Sequence, residues 1–173
     1  MSNGTDRVVD FSNGPIIKVH SSQLNELKQI AKSNPKNKRY RLCMHDSPDN
    51  ALQEMLICVT KDDYSRPHKH VGISESHHII EGSERIILFD EEGGIIDSFI
   101  LDWDSGYISY RINSSVYHMS VPITDTVIKL EVKVGPFSPD SNIFPEWAPD
   151  GNNSDETRKY INDTIESVKQ LGF

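Results

Sequence analysis

The sequence contains only two cysteines, Cys43 and Cys58, and it has no long apolar run. A membrane-spanning helix needs about 20 such residues, so we expect none. The first residues, MSNGTDRVVDFSNG, lack the apolar stretch of a secretory signal, which predicts a cytoplasmic protein with two free thiols. A disulfide across a hairpin stays open, but two cysteines this far apart are no zinc-ribbon signature.

Basic residues are in the minority. The 18 Lys and Arg stand against 26 Asp and Glu, which gives a net charge of -8. Such a chain repels phosphate backbones and anionic lipids, so we expect it to bind neither nucleic acid nor a membrane surface. With 173 residues and 36% hydrophobic content, the chain suits one small domain.

Short strand-length runs dominate the middle of the chain. Two β-type runs, VVDF and PIIKV, come first, and SSQLNELKQIAKS then predicts a helix capped by Ser21 or Ser22. NPKNK breaks this helix. Eight runs follow: RYRLCMH, LQEMLICVT, HHIIEG, SERIILFD, GIIDSFILDW, YISYRI, VYHMSV and VIKLEVKV. Their Gly-, Asp- and Pro-rich punctuation predicts a β-sandwich or barrel, with a hairpin turn at DEEGG.

A second helix is predicted at the C-terminal end, from about Asn153 to Leu171. Asn153 and Glu156 fit a capping box, and Gly172 fits a helix stop. The predicted plan is an N-terminal extension at 1–38, a β-barrel at 39–149, and a helix at 150–173 packed on the barrel.

The stretch RPHKHVGISESHHIIEG carries the strongest chemical pattern. His68 and His70 flank Lys69, and strand alternation turns both imidazoles to one face. Glu75 follows after four residues, and Gly82 allows a tight turn after six more, which gives H-x-H-x4-E-x6-G. This spacing predicts a metal site.

A distal histidine, His118, lies 43 residues beyond Glu75, in VYHMSV. An antiparallel barrel brings such a strand back beside the first ligands. Three imidazoles and a carboxylate suit a divalent transition metal, namely Fe, Mn, Ni, Co or Zn. Four protein ligands leave two octahedral positions for substrate or water. His77 and His78 are adjacent, so one faces inward and one outward, and their roles stay open.

These motifs resemble a known family. PHKHVGISESHHIIEG is similar to the first cupin motif, and YRINSSVYHMSV resembles a degenerate second one, in which Asn113-Ser114-Ser115 replaces the usual Pro-x-Gly turn. RYRLCMHDSPDNALQEMLICVTKDDYSRPHKH, ESHHIIEGSERIILFDEEG, EVKVGPF and WAP resemble the WbuC family of cupin-fold metalloproteins over about residues 39–149. His77 departs from that family, because an aromatic residue is expected there.

The resemblance implies a mainly β, single-domain cupin, an RmlC-like jelly-roll barrel with an N-terminal and a C-terminal helix. By position, it implies that His68, His70, Glu75 and His118 are the metal ligands. The WbuC family occurs with bacterial O-antigen and surface-polysaccharide genes, which implies a carbohydrate-type ligand.

Alternation on two strands defines the candidate pocket. Arg41, Cys43 and His45 share one face of their strand. An Arg-Cys-His face suits a polar pocket or the outside of the barrel, and we favour the pocket. Glu54, Leu56 and Cys58 share a face of the next strand. As substrate contacts we predict four residues, Arg41, Arg66, Arg111 and Tyr117. As acid/base residues we predict three, His45, Glu54 and Tyr64.

Three functions fit this pattern. The first is a metal-dependent enzyme on a sugar or nucleotide-sugar, an isomerase or epimerase, or an oxygenase if the ion is Fe(II). The second is a non-catalytic metal- and sugar-binding accessory or regulatory protein. The third is a metal-free nucleotide-sugar ketoisomerase or epimerase whose histidines transfer protons, although converging ligands argue against it. An exposed sheet edge needs cover, and we predict a homodimer.

Overall fold

The computed structural model describes residues 9–34, 39–113 and 115–173. The predicted boundary at residue 38, most of NPKNK and part of the Asn113–Ser115 turn lie outside these ranges. The helices are α1 (Ser21–Ser33) and α2 (Ser154–Leu171). The strands are β1 (Val9–Phe11), β2 (Arg39–Cys43), β3 (Leu52–Thr60), β4 (Lys69–His70), β5 (Glu75–Glu81), β6 (Glu84–Phe89), β7 (Ile95–Leu101), β8 (Ser109–Ile112), β9 (Tyr117–Pro122), β10 (Thr126–Val134) and β11 (Asn142–Ile143).

Two main sheets face each other across an apolar core. One has six strands in the order β1-β2-β3-β10-β5-β8, and the other has the order β7-β6-β9. The short strands β4 and β11 form a separate two-stranded sheet. Ile86 and Leu101 of the smaller sheet pack against Met55 and Ile57 of the larger one. All strand pairs are antiparallel except β1 with β2.

Each of the eight predicted runs after residue 38 forms a strand, which confirms a mainly β fold. The N-terminal prediction is confirmed only in part. VVDF contributes β1, which covers the edge of its own sheet by pairing with β2. The run PIIKV forms no strand. It leads directly into α1, and Val19 packs with the helix instead of pairing with a strand.

Helix α1 covers the outer face of the six-stranded sheet. Leu27 and Ala31 are buried there against Tyr40, Leu56 and Cys58. These contacts come from an apolar stripe at helical spacing, so burial rather than local propensity holds the helix in place.

The N-terminal cap of α1 differs from the prediction. His20, rather than Ser21 or Ser22, is the capping residue, because its Nδ1 accepts a hydrogen bond from the backbone N of Ser22 at 3.2 Å. In return, the side chain of Gln23 accepts a hydrogen bond from the backbone N of His20 at 2.8 Å. An imidazole nitrogen thus replaces the usual hydroxyl oxygen.

Helix α2 packs against the smaller sheet. Val168 is buried, and Ile161 and Ile165 pack beside it on the same core cluster. Asn153 caps the first turn, and Gly172 ends the helix in a left-handed conformation at φ +85°. Neither helix, nor any other within the described ranges, is both long and apolar enough to cross a membrane.

Candidate metal centre

Strand pairing brings the predicted histidines together. The backbones of His68 and His118 exchange two hydrogen bonds, of 3.1 and 2.9 Å, which join the start of β4 to β9. His70 lies on β4, two residues beyond His68. One nitrogen from each of the three rings lies within 4.8 Å of the others. The H-x-H pair and the distal histidine therefore form one cluster.

The Glu75 carboxylate lies beside two of these imidazoles. Its Oε1 is 2.8 Å from Nε2 of His118, and its Oε2 is 3.3 Å from Nε2 of His70. Glu75 is the first residue of β5 and is only 4% exposed. It also groups with His77 and Glu131, so its carboxylate stands between two clusters of possible ligands.

Backbone carbonyls define the tautomer of two of the three cluster histidines. Nδ1 of His68 lies 2.9 Å from the carbonyl of Arg66, and Nδ1 of His118 lies 3.0 Å from that of Val116. For His70, the corresponding distance to the carbonyl of Ser141 is 3.3 Å. Since a carbonyl only accepts, Nδ1 of His68 and Nδ1 of His118 carry the hydrogen. Nδ1 of His70 lies 3.3 Å from the amine of Lys133 as well, so these contacts do not fix its tautomer. In the neutral rings of His68 and His118 the Nε2 lone pairs remain for another partner, as in metal-binding histidines.

The local electrostatics favour a neutral His68 and an ionised Glu75. Burial, reinforced by the charge of His118, lowers the pKa of His68 well below its ordinary value. Burial alone would raise the pKa of Glu75, but His118, His70 and His77 hold it well below the ordinary range. Neutral imidazoles and an ionised carboxylate are the donor forms that bind divalent transition metals.

One buried carboxylate oxygen tests whether these residues fit a metal ion. Oε1 of Glu75 has no hydrogen-bond partner among the described residues, although it faces Nε2 of His118. Two lone pairs this close need a proton or a cation between them. Adjacent ligand atoms at about 2.1 Å from one ion, at right angles, are about 3 Å apart. The separations of 2.8 and 3.3 Å fit a shared ion.

A cavity of about 320 Å³ opens beside the cluster, on the inner face of the six-stranded sheet. Arg41, Cys43 and His45 line it, so the Arg-Cys-His face points into a pocket. His45 is buried, and its Nδ1 lies 3.0 Å from the carbonyl of Glu54. What Arg41 and His45 do there stays a prediction.

Glu54 does not line this cavity, and its acid/base role stays a prediction. On β3, Gln53, Met55 and Ile57 face the cavity. Alternation turns Glu54 the other way, with Leu56, toward the side that α1 covers.

Tyr64 and Arg66 bind the C-terminal segment instead of a ligand in this cavity. The Tyr64 hydroxyl donates to the carbonyl of Pro149 at 3.0 Å. The Arg66 guanidinium donates to the carbonyls of Pro145 and Ala148, at 2.9 and 3.2 Å. Neither side chain lines the cavity, and both contacts anchor residues that lie about 80 positions further along the chain.

Arg111 and Tyr117 also lie outside the cavity. Arg111 is exposed on β8, and its Nε donates to the side chain of Asn113 at 2.8 Å. Tyr117 precedes His118 on β9 and therefore faces the opposite side, where it packs in the core under α2. Of the four predicted substrate contacts, Arg41 lines this cavity, and Arg66 lines a neighbouring one together with Arg41 and His68; the substrate-binding roles stay predictions.

The two cysteines are free and buried, and they lie on opposite faces of the large sheet. Cys43 lines the cavity, whereas Cys58 packs under α1. The open possibility of a disulfide is therefore excluded. Burial raises the pKa of Cys43 to about 11 and that of Cys58 to about 12.

His77 faces inward and His78 outward, as adjacent strand residues must. The His77 ring is buried and stacks on Tyr110, with centroids 4.9 Å apart and planes at 14°. Its Nε2 is 3.7 Å from Glu75, and its Nδ1 is 3.9 Å from Glu131. These distances exceed those of hydrogen bonds.

Sequence reasoning missed a row of charged cavity residues on β10. Lys129, Glu131 and Lys133 alternate in VIKLEVKV, and all three line the cavity. Nζ of Lys129 is 2.8 Å from both carboxylate oxygens of the buried Glu84. Nζ of Lys133 is 3.3 and 3.1 Å from the two ring nitrogens of His70, so it lies beside the ring. Their alternation with apolar residues in VIKLEVKV was a signal in the sequence that these three side chains share one face of the strand.

Comparison with known proteins identifies the fold. A family model described as a domain of unknown function (DUF6016) matches residues 19–101. No curated protein matches the chain. L-ribose isomerase of Cellulomonas parahominis is 15% identical, with a TM-score of 0.50 over 65% of this chain and 72% of that one. CapF, solved with 3-isopropenyl-tropolone, is also 15% identical, with a TM-score of 0.51 over 62% of this chain and 31% of that one.

A Shewanella oneidensis protein is 15% identical, with a TM-score of 0.47 over 56% of this chain and 63% of that one. This chain therefore spans less than two thirds of the Shewanella protein and under a third of CapF. The likenesses to L-ribose isomerase and CapF show the cupin jelly-roll fold, as predicted, and they show the fold alone.

Proposed function

We propose that this chain is a divalent-metal-binding cupin, with the ion held by His68, His70, Glu75 and His118. One observation carries the proposal. The Nδ1 hydrogens of His68 and His118 are directed to backbone carbonyls, while a buried carboxylate meets the Nε2 side of His70 and His118. Metal-binding histidines are held in the same way.

A bound transition ion would polarise a carbonyl or hydroxyl oxygen of the ligand as a Lewis acid. The chain itself would supply the remaining chemistry from the cavity wall. An isomerase or epimerase needs a group that holds a proton near the ligand, and His45 is the predicted acid/base residue that lines the cavity. Arg41 would orient the ligand.

The ligand that we propose is of carbohydrate type. Resemblance to the WbuC motifs supports a place in bacterial surface-polysaccharide (O-antigen) biosynthesis, and one of the fold neighbours is a sugar isomerase. A cavity of about 320 Å³ is at the small end of ligand pockets, which favours a monosaccharide over a whole nucleotide-sugar. The proposed homodimer rests on the sequence alone.

A metal-free function is the second candidate, and one contact favours it. With a hydrogen already on Nδ1, His118 can donate from Nε2 to Glu75 only as a charged imidazolium. Such an imidazolium–carboxylate pair could move protons in a ketoisomerase of the cupin type. The two candidates differ in what lies between these atoms, a metal ion or a proton.

Metal analysis of protein purified without chelators separates the two candidates. We expect a stoichiometric divalent metal in wild type and in His78→Ala, because His78 is exposed and off the cluster. His68→Ala should lose the metal. A wild type without metal, or a His68→Ala variant with unchanged metal content and melting temperature, would contradict the metal site and leave the imidazolium–carboxylate candidate.

A ligand screen then separates an enzyme from an accessory protein. Metal-replete protein is incubated with sugars and nucleotide-sugars, and products are followed by NMR. Turnover supports the isomerase or epimerase. Binding without turnover favours the non-catalytic accessory or regulatory role.

A further inference from the structure

Arg41 is an arginine on the cavity wall whose guanidinium forms no hydrogen bond or ion pair with the described residues. It is only partly exposed, and no hydrogen bond or ion pair joins its guanidinium to another group in the described ranges. Its strand neighbour Arg39 differs, because Arg39 forms two hydrogen bonds with Asp63, at 2.9 and 2.6 Å. A guanidinium has five donors, and removing them from water without a partner is unfavourable.

Arg41 and Glu75 lie on the same inner face of the six-stranded sheet. Arg41 lies on β2 and Glu75 on β5, with β3 and β10 between them. The register aligns Arg41 with Lys129 but Glu75 with Lys133, four residues further along β10. Three inter-strand steps of about 4.8 Å and four residues of about 3.3 Å therefore separate the two backbones by about 19 Å. Both side chains reach into the cavity, which leaves space for a small ligand between the guanidinium and the metal cluster.

The charges on the cavity wall balance only in the absence of a metal. Two pairs are internally neutral, Arg39 with Asp63 and Lys129 with Glu84. The positive charges of the remaining cations, Arg41 and Lys133, are balanced in number by the negative charges of two carboxylates, Glu75 and Glu131. With neutral histidines, a divalent ion therefore leaves this wall with an excess charge of +2.

Lys133 adds positive charge close to the cluster, because its amine is buried beside the His70 ring. The wall therefore attracts an anion once the ion is bound. Arg41 is the cation of this wall that has no hydrogen bond or ion pair within the described ranges.

We infer that the cavity binds a small hydroxy acid or sugar acid, whose carboxylate pairs with Arg41 while its hydroxyl or carbonyl oxygens meet the ion. This inference rests on the proposed metal site. A single planar guanidinium matches a carboxylate in a bidentate pair.

Calorimetric titration of metal-replete protein tests this ligand class. Each acid is compared with a neutral counterpart: glycolate with ethylene glycol, D-gluconate with D-glucitol, and D-glucuronate with D-glucose. Glucose 6-phosphate serves as the phosphate probe. We expect at least one acid to bind at least about 10-fold more tightly than its neutral counterpart, because a charge-assisted hydrogen bond contributes that much.

Arginine variants assign the preference to Arg41. Arg41→Gln should remove the preference for the acid, and Arg41→Lys should keep part of it, since it retains the charge but loses the planar fork. Arg85→Gln is the matched control, because Arg85 is also a partly exposed strand arginine but lies outside the cavity. Should Arg41→Gln not fold, the wild-type comparison of acids with neutral counterparts still decides.

Three results would overturn the inference. The first is that no acid is preferred over its neutral counterpart. The second is that Arg41→Gln weakens the binding of acids and of neutral ligands equally. The third is that the affinity for glucose 6-phosphate falls more in Arg41→Gln than the affinity for any acid, which would assign the site to phosphate. Metal content is measured on the same samples, so a wild type without metal contradicts the proposed function separately.

Discussion

Nε2 of His118 lies 2.8 Å from Oε1 of Glu75, and both side chains are almost fully buried. The other nitrogen of this ring faces the carbonyl of Val116 and carries the hydrogen of the neutral form. Glu75 therefore meets either an imidazolium or a cation that both groups share. This contact makes the carboxylate charge the most sensitive feature of the site.

Replacing Glu75 by glutamine should abolish tight metal binding. The change keeps the shape but removes the negative ligand, and we expect affinity to fall by more than about 100-fold, beyond the usual effect of losing an outer-shell partner. Competition with a chelating dye measures this loss. Glu91→Gln is the control, since Glu91 is 61% exposed and pairs with Lys69 at the surface. Unchanged affinity in Glu75→Gln would exclude Glu75 as a ligand.

Replacing Lys133 by methionine should strengthen metal binding. Its Nζ lies 3.1 Å from Nε2 of His70, so its charge repels an ion bound there. At this short range, in a partly desolvated cavity, we expect the affinity to rise about 10-fold. The same competition assay measures it, with the exposed Lys61→Met as control. Equal or weaker binding in Lys133→Met would contradict this electrostatic account.

The buried pair of Glu84 and Lys129 should be costly to break. The pair spans the two sheets, and Glu84 is fully buried. Lys129→Met leaves that carboxylate without its partner, so unfolding in urea should show a loss of about 3–5 kcal/mol. The exposed pair Lys159–Asp163 on α2 is the control, and Lys159→Met should change stability by less than about 0.5 kcal/mol. Similar losses for both variants would contradict the burial argument.

Gly82 and Gly106 provide a matched test of the turn after β5. Both have a left-handed backbone, at φ +89° and +93°. A Cβ at Gly82 would lie 2.5 Å from the carbonyl oxygen of Thr126, whereas one at Gly106 would meet nothing within 4 Å. Gly106→Ala should therefore cost only the backbone strain of about 1 kcal/mol, and Gly82→Ala clearly more. Equal losses in thermal unfolding would show that the Gly82 contact relaxes freely.

The cysteines should make stability fall at alkaline pH. Burial raises the pKa of Cys43 to about 11 and that of Cys58 to about 12, from 9.0 in an exposed thiol. Raised folded-state values mean that this contribution is complete below pH 9 and is lost as pH rises toward 11–12. Urea unfolding between pH 8.5 and 11 measures the decline, and Cys58→Ala should flatten it. Rapid iodoacetamide labelling of both native thiols at pH 8.5 would contradict the burial.

Local periodicity was enough to predict much of the fold. The eight strand-length runs and the capped helix α2 follow from spacings of two and about 3.6 residues, which act over a few positions. The same alternation turned His68 and His70 to one face and separated His77 from His78. The H-x-H-x4-E spacing then placed Glu75 within reach of His70, because only a short turn lies between them.

Long-range pairing decided which faces point inward. Alternation grouped Arg41 with His45, and Glu54 with Cys58, but it did not decide which face of the sheet each pair occupies. Sheet order places the first pair on the cavity side and the second on the side that α1 covers. In the same way, Lys133 reached the metal cluster only because β10 pairs with β5, opposite Glu75.

The sequence by itself determined most of the strands, the two helices and the short-range part of the histidine–glutamate cluster. Tertiary structure alone decided that Tyr64 and Arg66 bind backbone carbonyls some 80 residues away, and that Arg41 forms no hydrogen bond or ion pair with any described residue. The physical reason is range. Backbone periodicity is fixed by neighbouring residues, whereas the partner of a side chain depends on register and packing between segments far apart in the chain.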